Sequence, residues 1–135
     1  MPGWVSYLRK QWEETFAGNL SYEEKEEIYL YQNGIACGYL WHVFSYEKND
    51  CVKDDRANQT FNNVAKNTCY VFHQHSDYAL IIEGASLVTA SDFMMKDDFD
   101  EEDIYVVDKD FTWTYVNAHE RSCGPYFSEK NENSN

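Results

Sequence analysis

Four histidines are the side chains of this sequence best suited to chemistry. His73 and His75 are separated by one residue on a predicted strand, so both imidazoles should project from one face, as strand-borne metal ligands require. His42 and His119, the latter followed by Glu120, could join them. An H-x-H pair without further ligands at a diagnostic spacing is a weak pattern, so the favoured interpretation is that His73 and His75 fill the polar face of a half-exposed strand.

His42 lies between Trp41 and Val43, in the most apolar stretch of the chain. A buried histidine must have its ring nitrogens hydrogen-bonded, so we expect this one to hold two elements together rather than act as a base or a metal ligand. A polar site formed by His42, Trp113, His119 and Glu120 is a further possibility.

Acidic side chains are concentrated in one short segment. Six of the seven residues from 97 to 103 are acids, namely Asp97, Asp98, Asp100, Glu101, Glu102 and Asp103. Acids in a row repel one another and should remain solvated. The calcium-loop pattern is absent because no glycine provides its turn. The segment is therefore interpreted either as a docking surface for a basic partner or as a solubilising loop.

Composition excludes several classes of protein. The 135 residues have a net charge of -13, which disfavours binding to nucleic acid or to an anionic membrane. A hydrophobic fraction of 43% and an aromatic fraction of 17% exclude a disordered chain. The sequence contains neither a G-x-S-x-G motif nor a glycine-rich phosphate loop, so nucleotide-dependent catalysis is not expected, and no cofactor is predicted.

The N-terminal segment lacks the apolar core of a secretory signal, and no apolar run approaches the length of a spanning helix. A cytoplasmic protein is therefore expected. Its four cysteines should be free thiols, because cytoplasmic disulfides are rare, and they form no C-x-x-C pair. Cys123, near His119 and Arg121, is the best nucleophile of an unpromising set.

The elements predicted to position these residues form a single α+β domain over residues 1–127, followed by a flexible polar tail over 128–135. One helix face carries Val5, Leu8, Trp12 and Phe16. A capping box at Ser21–Glu24 begins a second helix that should extend to about Tyr31. A third helix is expected over Asp54–Lys66, where Ala57, Phe61, Val64 and Ala65 share a face.

About five mostly antiparallel strands should form a sheet with two or three helices packed on one face. In the segment Ile35–Tyr46, the aromatic and β-branched core Tyr39–Phe44 predicts a buried strand. Two hairpins follow, the first pairing Cys69–His75 with Tyr78–Glu83 and the second pairing Ile104–Val107 with Phe111–Val116. In the last strand, alternation places Phe111, Trp113 and Tyr115 on one face.

Two strings, LWHVFSYE at residues 40–47 and DIYVVDKDFTWTYV at 103–116, precede a trailing His119-Glu120 and a GPYF string at 124–127. On these motifs the chain resembles a small Gram-positive bacterial family classed as a domain of unknown function, which supplies no catalytic residues. In its negative charge and the order of these short motifs, its C-terminal portion is also similar to acidic immunity proteins that neutralise toxins.

The sequence is therefore most consistent with a non-enzymatic binding protein that docks a basic protein through an acidic surface. Two alternatives stay open. One is a metal-binding or small enzyme domain using the histidines, and the other is a self-associating structural protein.

Overall fold

The computed structural model describes residues 4–33, 35–36, 38–74, 79–93, 103–118 and 124–130. The helices there are α1 (Trp4–Phe16), α2 (Tyr22–Glu27), α3 (His42–Ser45) and α4 (Asp54–Asn63), and 3₁₀ turns span Ala85–Leu87 and Ala90–Phe93. The strands are β1 (Tyr31–Gln32), β2 (Ile35–Ala36), β3 (Val52–Lys53), β4 (Cys69–His73), β5 (Ala79–Ile82), β6 (Ile104–Asp108), β7 (Trp113–Asn117) and β8 (Tyr126–Glu129). Strands β1 and β2 form a small hairpin, and the other six form one antiparallel sheet in the order β3-β8-β7-β6-β4-β5. The α+β class is confirmed.

Helices cover both faces of the six-stranded sheet, whereas the sequence predicted them on one face. Along the central strands, apolar residues alternate between two buried clusters. Tyr105 and Val107 of β6 pack with α1 and α3, while Val106 between them packs with α4. The strands are apolar on both sides, so each face of the sheet requires a cover of its own.

Helix α1 is confirmed, and its buried stripe consists of the four predicted residues, Val5, Leu8, Trp12 and Phe16. The Trp12 indole Nε1 donates a hydrogen bond of 2.8 Å to Thr114 Oγ1 on β7, and this hydroxyl donates at 2.9 Å to Val106 O. These bonds fix α1 against the centre of the sheet. Within the described part of the chain, no helix has both the length and the apolar character needed to cross a bilayer.

The capping box of α2 is confirmed. Glu24 N donates to Ser21 Oγ at 3.1 Å, and Ser21 N donates to Glu24 Oε1 at 3.0 Å. The helix ends at Glu27, earlier than predicted, because Tyr29 adopts a left-handed conformation with φ 65°. Tyr31 then pairs with Ala36 in the β1–β2 hairpin.

The buried strand predicted over Ile35–Tyr46 is wrong. Among the described residues of this range, only Ile35–Ala36 forms a strand, and residues 42–45 form the short helix α3. Val43 and Phe44 of α3 are fully buried in the cluster that contains α1. A short apolar run is equally compatible with a strand or a buried helix, and here contacts with α1 and the sheet determined the outcome.

Both predicted hairpin pairings are present, since β4 pairs with β5 and β6 pairs with β7. Phe111 does not share a face with Trp113. It precedes β7 with φ 57°, and its ring centroid lies 6.3 Å from that of Tyr70 on the α1 side. The Asp108 carboxylate closes this turn by accepting from Thr112 N at 2.5 Å.

Strands β3 and β8 were not predicted. Each forms by pairing with distant residues, β8 with β7 and β3 with β8. Because β8 extends to Glu129, the sheet includes the first two residues of the segment assigned to a flexible tail. Helix α4 ends at Asn63 before the chain becomes extended at Val64, so Ala65 is exposed and does not share the buried face of Ala57 and Phe61.

Candidate functional site

A cleft of about 820 Å³ separates α1 from the chain that follows α2. Its volume lies within the range typical of small-molecule sites. Three basic and two acidic side chains line it, in contrast to the strong negative charge of the whole protein. The lining residues of the described chain are Ser6, Arg9, Lys10, Glu13, Glu14, Lys25, Leu30, Tyr31, Gly38, Leu40 and Gln74.

The floor of the cleft is a buried hydrogen-bond network centred on Gln74, which directly follows β4. Gln74 Oε1 accepts from Leu40 N at 3.1 Å and from the Tyr105 hydroxyl, and its Nε2 donates to Gly38 O at 3.3 Å. The Tyr105 oxygen in turn accepts from Trp41 N at 3.3 Å. The amide of Gln74 therefore fixes the loop over residues 38–41 to the end of the sheet.

Charged groups lie close to this network. Burial and the negative charge of Asp103 raise the pKa of Tyr105 well above its usual value, and the positive charge of Arg9 opposes that shift. Arg9 Nη2 donates to His73 O at 2.8 Å, and Gln74 N donates to Asp103 O at 3.1 Å. Because its pKa is raised, Tyr105 stays protonated at neutral pH, and its hydroxyl acts as a hydrogen-bond donor.

One wall of the cleft is organised around Glu13. Its Oε2 accepts from Lys25 Nζ at 2.9 Å and from the Tyr31 hydroxyl at 2.6 Å. Burial, followed by the Glu13 carboxylate, raises the pKa of Tyr31 to about 12. The residues that line the cleft in the described chain include neither histidine nor cysteine. This arrangement of paired charges and hydrogen-bonded side chains is suited to binding a polar molecule.

A second feature is the surface where α2 and α3 meet, which we call the acidic tyrosine surface. The rings of Tyr29 and Tyr46 are exposed and their centroids lie 6.0 Å apart. Lys48 Nζ lies 3.3 Å from Glu27 Oε2 and links α2 to the chain just after α3. The surface consists of Glu23, Glu26, Glu27, Tyr29, Tyr46 and Glu47, all of them exposed.

Two residues of this surface have a backbone conformation that glycine usually adopts. Tyr29 follows the last turn of α2 with φ 65°, and Glu47 follows α3 with φ 57°. A left-handed conformation costs an ordinary residue about 1–2 kcal/mol. The Tyr29 side chain is 62% exposed, so burial offsets little of that cost. Among the described residues, Asn33, Asp54 and Phe111 also have positive φ values.

His42 begins α3 and is half-buried, and its Nδ1 lies 2.8 Å from Ile28 O. A carbonyl oxygen only accepts, so Nδ1 carries the proton. The bond joins α3 to the residue that caps α2, which is the holding role that the sequence favoured. The imidazole also lies edge-on to Tyr46, at 5.3 Å between ring centroids, and so supports the acidic tyrosine surface from beneath.

The histidines that the structure describes are not brought together. Strand alternation places His73 on the same face as Cys69 and Val71, which pack with α4, whereas α3 and His42 lie on the opposite face. Among the described residues, no group of three or more His, Cys, Asp or Glu side chains could hold a metal ion. His75 lies outside the described residues, so the H-x-H metal pair stays a prediction.

The acidic segment is described only at its last residue. Asp103 is fully buried, in contrast to the solvated position expected for this segment. Trp113 is buried against Phe61 and Phe127 on the α4 face. The remaining predicted site residues lie outside the described part of the chain, namely Asp97, Asp98, Asp100, Glu101, Glu102, His119 and Glu120.

The two described cysteines, Cys51 and Cys69, are free thiols. Burial is the main cause that raises the pKa of each to about 11. A thiol must be deprotonated to act as a nucleophile, so neither is poised for catalysis. Cys37 and Cys123 lie outside the described residues.

Sequence reasoning missed Gln74 and Tyr29. Gln74 lies between two histidines in an H-Q-H string, and its type alone carries no signal of burial. Tyr29 falls within the predicted second helix, which was expected to extend to about Tyr31. Glycine is the usual sequence signal for a left-handed residue after a helix, and because position 29 is a tyrosine the sequence carries no signal of this conformation.

The chain matches the family model described as "Domain of unknown function (DUF4275)" over residues 1–127, and it therefore belongs to that family. This match confirms the resemblance to a family classed as a domain of unknown function, which the sequence motifs indicated. No curated protein and no solved structure matches the chain.

Proposed function

We propose that this member of a domain family of unknown function is a non-enzymatic binding protein, which captures a basic protein through the acidic tyrosine surface. The observation that carries the proposal is the pairing of exposed Tyr29 and Tyr46 on a surface that also exposes four carboxylates, of which Glu27 and Glu47 are ion-paired with Lys48 and Lys53. Tyrosine is enriched at interface hot spots because it provides a large contact area with little loss of conformational entropy. The carboxylates supply long-range attraction for a positively charged partner.

Two further observations support this function. The net charge of -13 raises the association rate for any basic protein and lowers it for an acidic one. The strained backbone at Tyr29 and Glu47 places an aromatic group and a carboxylate where glycine would be more stable. A stability cost at an exposed position is expected when that position is used for recognition.

The chemistry of the described residues favours binding over catalysis. Both described thiols are protonated at neutral pH, and His42 is committed through Nδ1 to a backbone carbonyl. The acidic segment at residues 97–102 adds to the net negative charge that attracts a basic partner. A basic toxin is one class of partner that this surface suits. If the toxin is a nuclease, the surface would present carboxylates where the nuclease binds phosphates.

The test compares two variants with the same charge change. Glu26→Gln with Glu27→Gln removes two charges from the acidic tyrosine surface, and Glu83→Gln with Asp110→Asn removes two exposed charges elsewhere. Wild type and both variants are used as baits in the native host lysate at low and high salt, with retained proteins quantified by mass spectrometry.

The expected result is a basic protein that wild type and the control retain at low salt and release at high salt. The surface variant should bind it about 1–2 kcal/mol more weakly, roughly tenfold. A third variant, Tyr29→Gly, should fold normally because glycine tolerates this φ, and should lose most of the binding. Equal retention by the surface variant and the control would contradict the proposal.

A further inference from the structure

The two edges of the six-stranded sheet are built differently. At one edge, β3 has only two residues, the second of which is the exposed Lys53. A short edge strand and an edge lysine both prevent another chain from pairing there. Among the described residues the opposite edge is β5, with the sequence Ala-Leu-Ile-Ile. This strand contains no charge and no proline, so it lacks the features that protect β3.

Exposed apolar side chains lie on both faces of β5. Leu80 and Ile81 are 54% and 53% exposed. Leu80 pairs with Val71 on the face covered by α4, and Ile81 pairs with Tyr70 on the face covered by α1. A protein stacked on one face of the sheet would cover only one of them. A strand added beside β5 would cover both and satisfy the outward main-chain groups.

We propose that a second copy of this chain adds to β5, joining the two six-stranded sheets edge to edge across a two-fold axis. A charged side chain placed opposite Leu80 or Ile81 would lose its hydration without gaining a partner. The added strand is therefore itself uncharged and apolar, and β5 of a second copy has that composition. A two-fold pairing of identical edges is also the commonest way in which chains self-associate.

The faces of the sheet limit the register of this pairing. A two-fold axis perpendicular to the sheet maps each face onto itself, and paired residues of antiparallel strands lie on the same face. The two-fold axis therefore passes between a residue and its own copy in the partner. In β5 this pair is either Ile81 opposite the partner subunit's Ile81 or Leu80 opposite the partner subunit's Leu80. Both registers bring only apolar side chains of β5 together.

Charge predicts an unusual salt dependence. Two chains that each carry a net charge of -13 repel one another, and added salt screens that repulsion. The dimer therefore strengthens as ionic strength rises, whereas capture of a basic protein by the acidic tyrosine surface weakens. The two associations thus respond to salt with opposite sign, and one can fail without the other.

Sedimentation equilibrium on the full chain tests the proposal at low and high salt. Wild type should reach twice the 15.9 kDa chain mass, more readily at high salt. Ile81→Lys and Leu80→Lys, on opposite faces of the edge, should each remain monomeric. Leu87→Lys makes the same kind of change at a 90% exposed residue outside β5 and should dimerise like wild type.

Hydrogen exchange provides the second readout. Amides of β5 should be slower to exchange in wild type than in Ile81→Lys, while the helical amides of α1 report that the variant remains folded. A wild-type chain that stays monomeric at its highest attainable concentration in high salt would overturn the proposal. So would an Ile81→Lys chain that dimerises like the Leu87→Lys control, or β5 amides that become protected only when a different protein is added.

Discussion

Removal of the Gln74 side chain tests whether the buried network stabilises this fold. Gln74→Ala deprives two buried donors of their acceptor, the Leu40 amide at 3.1 Å and the Tyr105 hydroxyl. Each buried group left unsatisfied costs about 1–3 kcal/mol. The half-buried Gly38 carbonyl can bond to water and adds little. The free energy of unfolding should therefore fall by about 2–6 kcal/mol, a large part of the ~5–15 kcal/mol typical of a domain.

A double-mutant cycle separates the hydrogen-bond coupling between Gln74 and Tyr105 from the packing contacts that each substitution removes. Tyr105→Phe leaves the bond from Leu40 N to Gln74 intact and deprives only Trp41 N of its acceptor, so it should cost about 1–2 kcal/mol. Once the hydroxyl is absent, Gln74→Ala no longer leaves it unsatisfied. The cost of the double variant should therefore be about 1–2 kcal/mol less than the sum of the single costs.

Urea unfolding followed by tryptophan fluorescence measures these values, since the chain contains four tryptophans. Gln59→Ala, at an exposed position of α4, is the matched control and should change stability by less than about 0.5 kcal/mol. If Gln74→Ala behaved like Gln59→Ala, or if the two network substitutions were additive, the network would not stabilise the loop over residues 38–41.

Two further predictions concern titratable groups. The pKa of Tyr31 is raised to about 12 and burial also raises that of Tyr115, so both bind a proton more tightly in the folded state than in the unfolded state. Their stabilising contribution is complete below the unfolded tyrosine pKa of about 10 and is lost as pH rises from there through 12. Ultraviolet titration should show tyrosinate forming late for these groups, and a Tyr31→Phe chain that titrates identically to wild type would contradict this reasoning. Cys51 and Cys69, with pKa values of about 11, should alkylate far more slowly in the native than in the unfolded protein at mildly alkaline pH. Peptide mapping by mass spectrometry checks both sites, and labelling of native Cys69 at the unfolded rate would refute its burial.

Helices with strong local signals were predicted correctly. The stripe of α1 and the capping box of α2 depend on residues three and four positions apart, which are neighbours in any helix. The hairpins β4–β5 and β6–β7 also join segments close in the sequence. The candidate site was predicted much less well, because the Gln74 network and the acidic tyrosine surface each combine side chains from segments that no local pattern connects.

By itself, the sequence determined the α+β class, the stripe of α1, the two hairpins and the acidic character of the surface, since local periodicity and composition encode them. Only the tertiary structure decided that residues 42–45 are helical, that β3 and β8 exist, and that α4 covers a second face of the sheet. It also buried Asp103, which charge patterning alone had placed in solvent. In each case the energy comes from contacts between residues far apart in the chain, which a local pattern cannot report.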